Sequence, residues 1–329
     1  MTNEIVKTLH QDVNEGIEEL EADEPVAVRY PHIYILHHAD QDGYAAGAVC
    51  FATMAHPKRT MVPIPVQYGE PFPSIDLQPE DSVFILDFSY KREILESVKE
   101  KVSELLVLDH HETARQELEG LPYAHFDMSK SGALLAWEYF VEGCPPYECI
   151  ELLDCYDLWN KNHPKHSWEK VVKFHMANQP FLKNFYHWVS LVNTGKIPKE
   201  LLEIGEDHYN RFSQSVKDVK ESVSTEYRTI KGKRFCFFFC KEDISLISDA
   251  IYSDKENPVD VTVCLFQKEN SGVWVASLRS PDDQVQPVHT IAQLAGGGGH
   301  KQAAGMVLGQ MDELDLIPHL VHLLEKGSW

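Results

Sequence analysis

The sequence contains no apolar run approaching the ~20 residues needed to span a bilayer, so an integral membrane protein is not expected. It has no CxxC pair, and its seven cysteines are an odd number. Neither a disulfide framework nor a zinc ribbon is therefore expected, and a reducing, cytoplasmic setting is. The first twenty residues (MTNEIVKTLHQDVNEGIEEL) lack a basic segment followed by an apolar one, so a secretory signal is not expected either. Basic residues are scarce: 30 Lys and Arg stand against 51 Asp and Glu, for a net charge of −21. Such a chain repels long nucleic acid unless it carries a local basic patch. What is present is ordinary globular usage, 43% hydrophobic and 25% charged, over 329 residues, which excludes global disorder and favours two domains over one. Seventeen histidines leave many candidates for a metal site.

Ile5, Leu9, Val13, Ile17 and Leu20 recur at helical spacing and predict an N-terminal amphipathic helix. Three continuous apolar runs follow: His32–His38, Ser82–Phe88 and Leu105–Asp109. Runs of this kind suit strands buried on both faces of a parallel sheet, and helical segments at Lys91–Val102 and Ala133–Phe140 alternate with them. The pattern predicts an open α/β sheet. From Leu152 to about Tyr227 the chain reads as largely helical and ends in a polar connecting helix and linker. Strand candidates then return at Phe235–Cys240, Val259–Gln267 and Val273–Arg279, with a hairpin signal at Glu269-Asn270-Ser271-Gly272.

Acids and imidazoles concentrate where the predicted strands end. The first strand closes with His37-His38-Ala39-Asp40-Gln41-Asp42-Gly43. Read as extended backbone, alternation puts His38, Asp40 and Asp42 on one side and His37 on the other. Gly43 then allows a sharp turn into an Ala-rich helix. The second strand delivers Asp87 and the third Asp109-His110-His111; of Asp154 and Asp157 further on, Asp157 is preferred. Ligands of open α/β sheets bind beyond the carboxyl ends of the strands. Several carboxylates gathered there repel one another unless a cation neutralises them. Oxygen and imidazole donors without thiolate suit Mn²⁺, with Mg²⁺, Fe²⁺ and Co²⁺ as competitors, and the donors suffice for two ions. Paired ions are the usual arrangement for phosphoester hydrolysis. Ser129 and Ser131 precede a helix and read as caps.

These residues resemble the motifs of the DHH phosphoesterases: HADQDG (His38–Gly43), the Asp of ILDFS (Asp87), DHH (Asp109–His111) and the Asp of CYDLW (Asp157). The C-terminal part resembles the associated DHHA1 domain, with SLRS (Ser277–Ser280) and GGGGHKQAAG (Gly296–Gly305). Many members carry His-x-x-x-Asp-x-Asp where this chain has His-x-Asp-x-Asp-Gly, which leaves both His38 and His37 as candidates for the first-metal histidine. The resemblance implies an α/β fold with a DHH catalytic domain built on a mainly parallel sheet (residues 1–195). A linker helix (196–230) and a smaller α/β DHHA1 substrate-binding domain (231–329) would follow, with the active site in the cleft between the domains. One ion is then expected on His38, Asp40 and Asp87, and a second on Asp42, Asp87, His110 and Asp157, with Asp87 bridging. His111 would contact the scissile phosphate and Asp109 would orient its neighbours.

In the second domain, glycines at Gly296–Gly299 allow positive φ and close backbone approach to a ligand, and their N–H groups suit an anion nest. Gly297, Gly298, Gly299, His300, Lys301, Arg279 and Ser280 are the expected substrate contacts, Arg279 through its planar fork. The chain ends at Trp329 without an OB-fold-like extension and begins without a membrane or sensory segment. A long-strand exonuclease of the RecJ type and a membrane-tethered cyclic-dinucleotide enzyme are therefore both disfavoured. The expectation is a Mn²⁺-dependent 3′-to-5′ exoribonuclease converting 5′-phosphorylated diribonucleotides such as pGpG to mononucleotides. The partners expected are short RNA, not long nucleic acid or membrane, and a homodimer is compatible with the sequence. The alternatives are a 3′-phosphoadenosine 5′-phosphate phosphatase, a polyphosphate hydrolase, and a nucleotide-sensing module with a dead site.

Overall fold

The computed structural model describes residues 29–268, 271–281, 286–299 and 301–329. The predicted N-terminal helix at Ile5–Leu20 lies outside the described residues. The chain divides into two units, one formed by Met1–Val171 with Gln179–Ile197, the other by Val172–Asn178 with Pro198–Trp329. No helix among the described residues is long and apolar enough to cross a membrane.

The first unit is built on β1 (His32–His38), β2 (Thr60–Val66), β3 (Ser82–Leu86), β4 (Glu104–Asp109) and β5 (Ala124–Phe126). They form one sheet in the order β2-β1-β3-β4-β5, with every pairing parallel. The apolar runs read from the sequence are its central strands, and Ile35, Leu36, Ile85, Leu86 and Val107 are fully buried. Strand β2, with Pro63 and Pro65, takes the edge, where missing N–H donors cost least.

The helices that surround this sheet include α1 (Gln41–Met54), α2 (Arg92–Lys99), α3 (Glu112–Glu117), α4 (Gly132–Phe140) and α5 (Glu148–Asp157). The small residues Ala45, Ala46 and Ala48 of α1 are fully buried. A Cβ at Gly43 would stand 2.4 Å from the His38 carbonyl oxygen, so this helix can leave β1 so abruptly only with glycine there. Next come α6 (Trp168–Asn178), α7 (Phe185–Thr194) and the long α8 (Lys199–Glu221).

The second unit carries β6 (Glu226–Ile230), β7 (Lys233–Phe239), β8 (Val261–Gln267), β9 (Val273–Arg279), β10 (Gly298–Gly299) and β11 (Ala303–Gln310). They form a mixed sheet ordered β10-β11-β9-β8-β7-β6, in which only β7–β8 is parallel. Helices α9 (Ile244–Tyr252), α10 (Val288–Ala292) and α11 (Glu313–Lys326) complete it. Phe235, Phe237, Val263, Leu278 and Leu320 centre one core, and Cys236, Phe238 and Cys264 another. The stretch Glu226–Ile230, read as linker, is strand β6 paired with β7. Strands β8 and β9 are antiparallel neighbours, as the hairpin signal between them requires; Glu269 and Asn270 of that signal lie outside the described residues.

Candidate metal centre

Strand β1 ends at His38, earlier than the extended reading of His38-Asp40-Asp42 required. Asp40 is the N-cap of α1, its carboxylate accepting a hydrogen bond from Gly43 N at 2.9 Å, and Asp42 is already in the helix. Both acids still reach the sheet edge, because the cap and the first turn carry them there rather than strand alternation. His37 does point the other way: it is fully buried against Tyr44 and Phe185, and its Nδ1 donates to the His38 carbonyl at 2.9 Å. Burial lowers its pKa to about 4. The structure thus places His38, not His37, among the acids.

Asp87 follows β3 with φ at 57°, a left-handed conformation that a non-glycine residue seldom adopts. That backbone sets its carboxylate between two groups. On one side His38 Nδ1 lies 3.6 Å from Asp87 Oδ2 and 2.9 Å from Asp40 Oδ2. On the other, His110 Nε2 lies 3.1 Å from Asp87 Oδ1 and 3.5 Å from Asp157 Oδ2. Three sets of potential ligand atoms, each within 4.8 Å of one another, result: His38 with Asp40 and Asp87; Asp87 with His110 and His111; Asp42 with His110 and Asp157. Asp87 and His110 each belong to two of them.

The electrostatics favour a cation. Burial, reinforced by the neighbouring Asp42 charge, pushes the Asp87 and Asp157 carboxyls well above their usual range. Burial also raises Asp42. Asp87 Oδ1 is buried and accepts no hydrogen bond. Burial lowers the His38 imidazole, but the Asp40 and Asp87 carboxylates beside it outweigh that and lift it to about 10. Buried acids that repel one another around an unsatisfied oxygen fit the oxygen-and-imidazole environment of Mn²⁺ or Mg²⁺.

Around these groups lies a supporting layer. Asp109, fully buried at the end of β4, accepts from Ser89 Oγ at 2.6 Å, His110 N at 2.7 Å and His111 Nδ1 at 2.6 Å. His111 is thereby left with Nε2 as its outward nitrogen. Burial lowers the His111 pKa and its bond to Asp109 raises it; the net shift is upward. Asp42 accepts from Gly132 N at 2.5 Å and Ala133 N at 3.0 Å, at the start of α4. Asp154 accepts from Ser131 N at 2.8 Å and so anchors α4, while Asp157 stands beside His110. Ser131 is the N-cap expected, its hydroxyl accepting from Leu134 N. Ser129 is not a cap: its hydroxyl donates to Asp127, in the turn before the helix.

Sequence reasoning missed three contributors. Ser89 lies inside the quoted ILDFS motif without an assigned role. Gln67 Oε1 lies 3.2 Å from His38 Nε2, which leaves Nδ1 facing the acids. Tyr68 stands beside both His38 and His111. Gln67 and Tyr68 sit in a loop after a proline-containing strand, where no periodicity marks them.

In the second unit, Arg279 closes β9 and donates to Ser277 Oγ and the Leu278 carbonyl, both at 2.9 Å, and to Ser245 Oγ at 3.2 Å. It makes no ion pair among the described residues, and burial lowers its pKa. Ser280 is buried, its N–H donating to the Gln302 carbonyl. The glycine run is less open than an anion nest would be. Gly297 N donates to the Ala292 carbonyl at 2.9 Å, and Gly298 and Gly299 pair with Gly305 and Ala304 of β11. A Cβ at Gly297 would stand 2.2 Å from the Gly305 carbonyl oxygen, so strand packing alone requires that glycine. Lys301 is exposed, and its carbonyl accepts from Val288 N. His300 lies outside the described residues.

No family model matches the chain. A curated relative, the uncharacterized protein R106 of Acanthamoeba polyphaga mimivirus, is 28% identical over 245 residues, covering 68% of this chain and 52% of its own. The chain thus spans about half the length of that relative. A pGpG-specific phosphodiesterase, PggH from Vibrio cholerae, superimposes with a TM-score of 0.54 at 14% identity, over 91% of this chain and 100% of its own. RecJ from Thermus thermophilus, solved in complex with Mn²⁺, superimposes with a TM-score of 0.51 at 16% identity, over 89% of this chain and 51% of its own. The fold is an α/β fold with a parallel five-stranded sheet flanked by helices. It is the fold of the DHH/DHHA1 phosphoesterases.

Proposed function

We propose that the chain is a metal-dependent phosphodiesterase of the DHH family. Its substrates are short oligoribonucleotides, chiefly 5′-phosphorylated diribonucleotides, and its products nucleoside monophosphates. One observation carries the reading: Asp87, turned by a left-handed backbone, stands between His38 with Asp40 on one side and His110 with Asp157 on the other. The likeness to a phosphodiesterase that acts on pGpG supports the choice of substrate.

In this reading His38, Asp40 and Asp87 would hold one divalent ion, and Asp42, Asp87, His110 and Asp157 would hold another, Mn²⁺ being the favoured metal and Mg²⁺ or Co²⁺ its substitutes. Ions bound there would supply Lewis acidity and lower the pKa of water. Asp109 fixes the tautomer and tilt of His111 through Nδ1. His111 Nε2 then donates to a non-bridging phosphate oxygen, a contact that strengthens as negative charge develops there. Arg279, whose serine partners leave one guanidinium edge available, is the proposed phosphate contact of the second unit.

The test is turnover of a panel with Mn²⁺: 5′-phosphorylated dinucleotides, a heptanucleotide, cyclic dinucleotides, 3′-phosphoadenosine 5′-phosphate and polyphosphate. Dinucleotides are expected to show a kcat/KM at least about tenfold above the heptanucleotide, the cost of one lost charge-assisted phosphate contact. Equal rates on two and seven nucleotides, or preferential release of phosphate from polyphosphate, overturn the substrate assignment.

A further inference from the structure

Tyr68 is an aromatic ring left half open in the middle of a charged site. It is 52% exposed, whereas the Phe88 ring beneath it is 2% exposed. The two centroids are 4.5 Å apart. The same ring meets His38 at 5.4 Å and His111 at 5.7 Å, both edge-on. Its position is built rather than accidental. The turn that follows β2 is closed by Glu70 N donating to the Gln67 carbonyl, and Gly69 at φ 88° supplies the left-handed residue. Gln67 ties that turn to His38, and Phe88, which directly follows Asp87, supports the ring.

We propose that Tyr68 is the platform on which a nucleobase of the substrate stacks, which makes this residue the selector of nucleotides over base-free phosphate esters at the centre. The inference rests on the phosphodiesterase reading and specifies its substrate class. The His111 ring stands 5.7 Å from the Tyr68 ring, a separation that one nucleoside can span. A polyphosphate or a sugar phosphate offers nothing to cover an apolar ring. A purine or pyrimidine offers a π-face, and such stacking tolerates any base. Removing a stacking aromatic typically weakens binding roughly 5- to 150-fold.

The experiment compares the Mn²⁺-loaded wild type with Tyr68→Ala, Tyr68→Phe and Tyr68→Trp on a 5′-phosphorylated diguanylate and on its counterpart lacking both bases. Tyr68→Ala is expected to raise KM for the diguanylate by at least about 5-fold with little change in kcat. Any loss on the base-free substrate should be much smaller than that on the diguanylate, and Phe and Trp should restore the wild-type KM. An unchanged KM, or an equal loss on both substrates, overturns the platform and leaves Tyr68 as mere support for His38. If the wild type cleaves no nucleotide, the functional reading fails first. Calorimetric binding of GMP against ribose 5-phosphate then decides the platform by itself. A preference for GMP that disappears in Tyr68→Ala upholds it, and no preference in the wild type refutes it.

Discussion

Gly132 leaves the space that Asp87 occupies. A Cβ at Gly132 would lie 2.3 Å from the Asp87 Cβ and 2.9 Å from its Oδ1, while the Gly132 N–H donates to Asp42 Oδ2 at 2.5 Å. One residue at the start of α4 therefore admits one acid and anchors another. Gly132→Ala should displace Asp87 by a good part of an ångström and lower kcat/KM on a dinucleotide by roughly 100-fold. Circular dichroism should remain native, since the change adds one methyl at a helix start. A variant with wild-type activity would show that the Asp87 position is not critical.

Asp109 is predicted to act through His111. Asp109→Asn should lower kcat roughly 10- to 100-fold, with KM changing less, because the imidazole loses its tautomer and its tilt. Added to His111→Ala, it should cost little more, since the two act as a unit. Fully additive losses in the double variant would separate the residues. Ser89→Ala leaves one oxygen of a fully buried carboxylate unsatisfied and should lower stability by about 1–3 kcal/mol in urea unfolding.

Arg279→Ala should raise KM for dinucleotides by about 10-fold or more and leave kcat nearly unchanged. As proposed, Arg279 touches a part of the substrate that does not react, and such a contact binds ground and transition states alike. A KM unchanged with every dinucleotide tested would remove Arg279 from the substrate site.

Asp81 gives a pH-dependent stability term away from the metal centre. Its buried carboxylate accepts from Arg29 at 2.7 and 2.8 Å, His32 N at 2.8 Å and Gln78 N at 2.9 Å. Burial raises its pKa, but these bonds outweigh that and hold it below the usual carboxylate range. A depressed folded pKa adds stability above the unfolded value of about 3.9, and that stability is lost as pH falls through the folded value. The stability gap between wild type and Asp81→Asn, from urea midpoints, should therefore be constant from pH 7 to about 5 and shrink below about 4. A gap that widens on acidification would contradict the assignment.

The central strands were legible because burial on both faces of a parallel sheet leaves continuous apolar runs; β1 at His32–His38 falls where the sequence puts it. Strand β2 was not, since Pro63 and Pro65 interrupt the signal that an edge strand can still tolerate. Strand β6 hid in a polar stretch because all its residues but Ile230 are half-exposed or exposed. The acids and histidines could be picked out by type and order, and the separation of His37 from His38 follows from strand alternation. Asp42 reached the same edge by a different route, through a helix turn that the chain enters at Gln41, before Gly43 rather than after it. Gln67, Tyr68 and Gly132 carry no pattern of their own; only the fold brings them to Asp87 and His38. The glycine run reads in the sequence as an anion nest approaching a ligand; in the structure Gly297 spends its N–H on Ala292, and Gly298 and Gly299 pair with β11.

Metal stoichiometry tests most directly whether Asp87 is the acid shared by two ions. Equilibrium titration of the metal-free full chain with Mn²⁺, followed by elemental analysis after desalting, should give two ions per chain for the wild type. It should give at most one, weakly held, for Asp87→Asn of unchanged circular dichroism. Two ions retained by Asp87→Asn, or no bound Mn²⁺ in the wild type, would contradict that role.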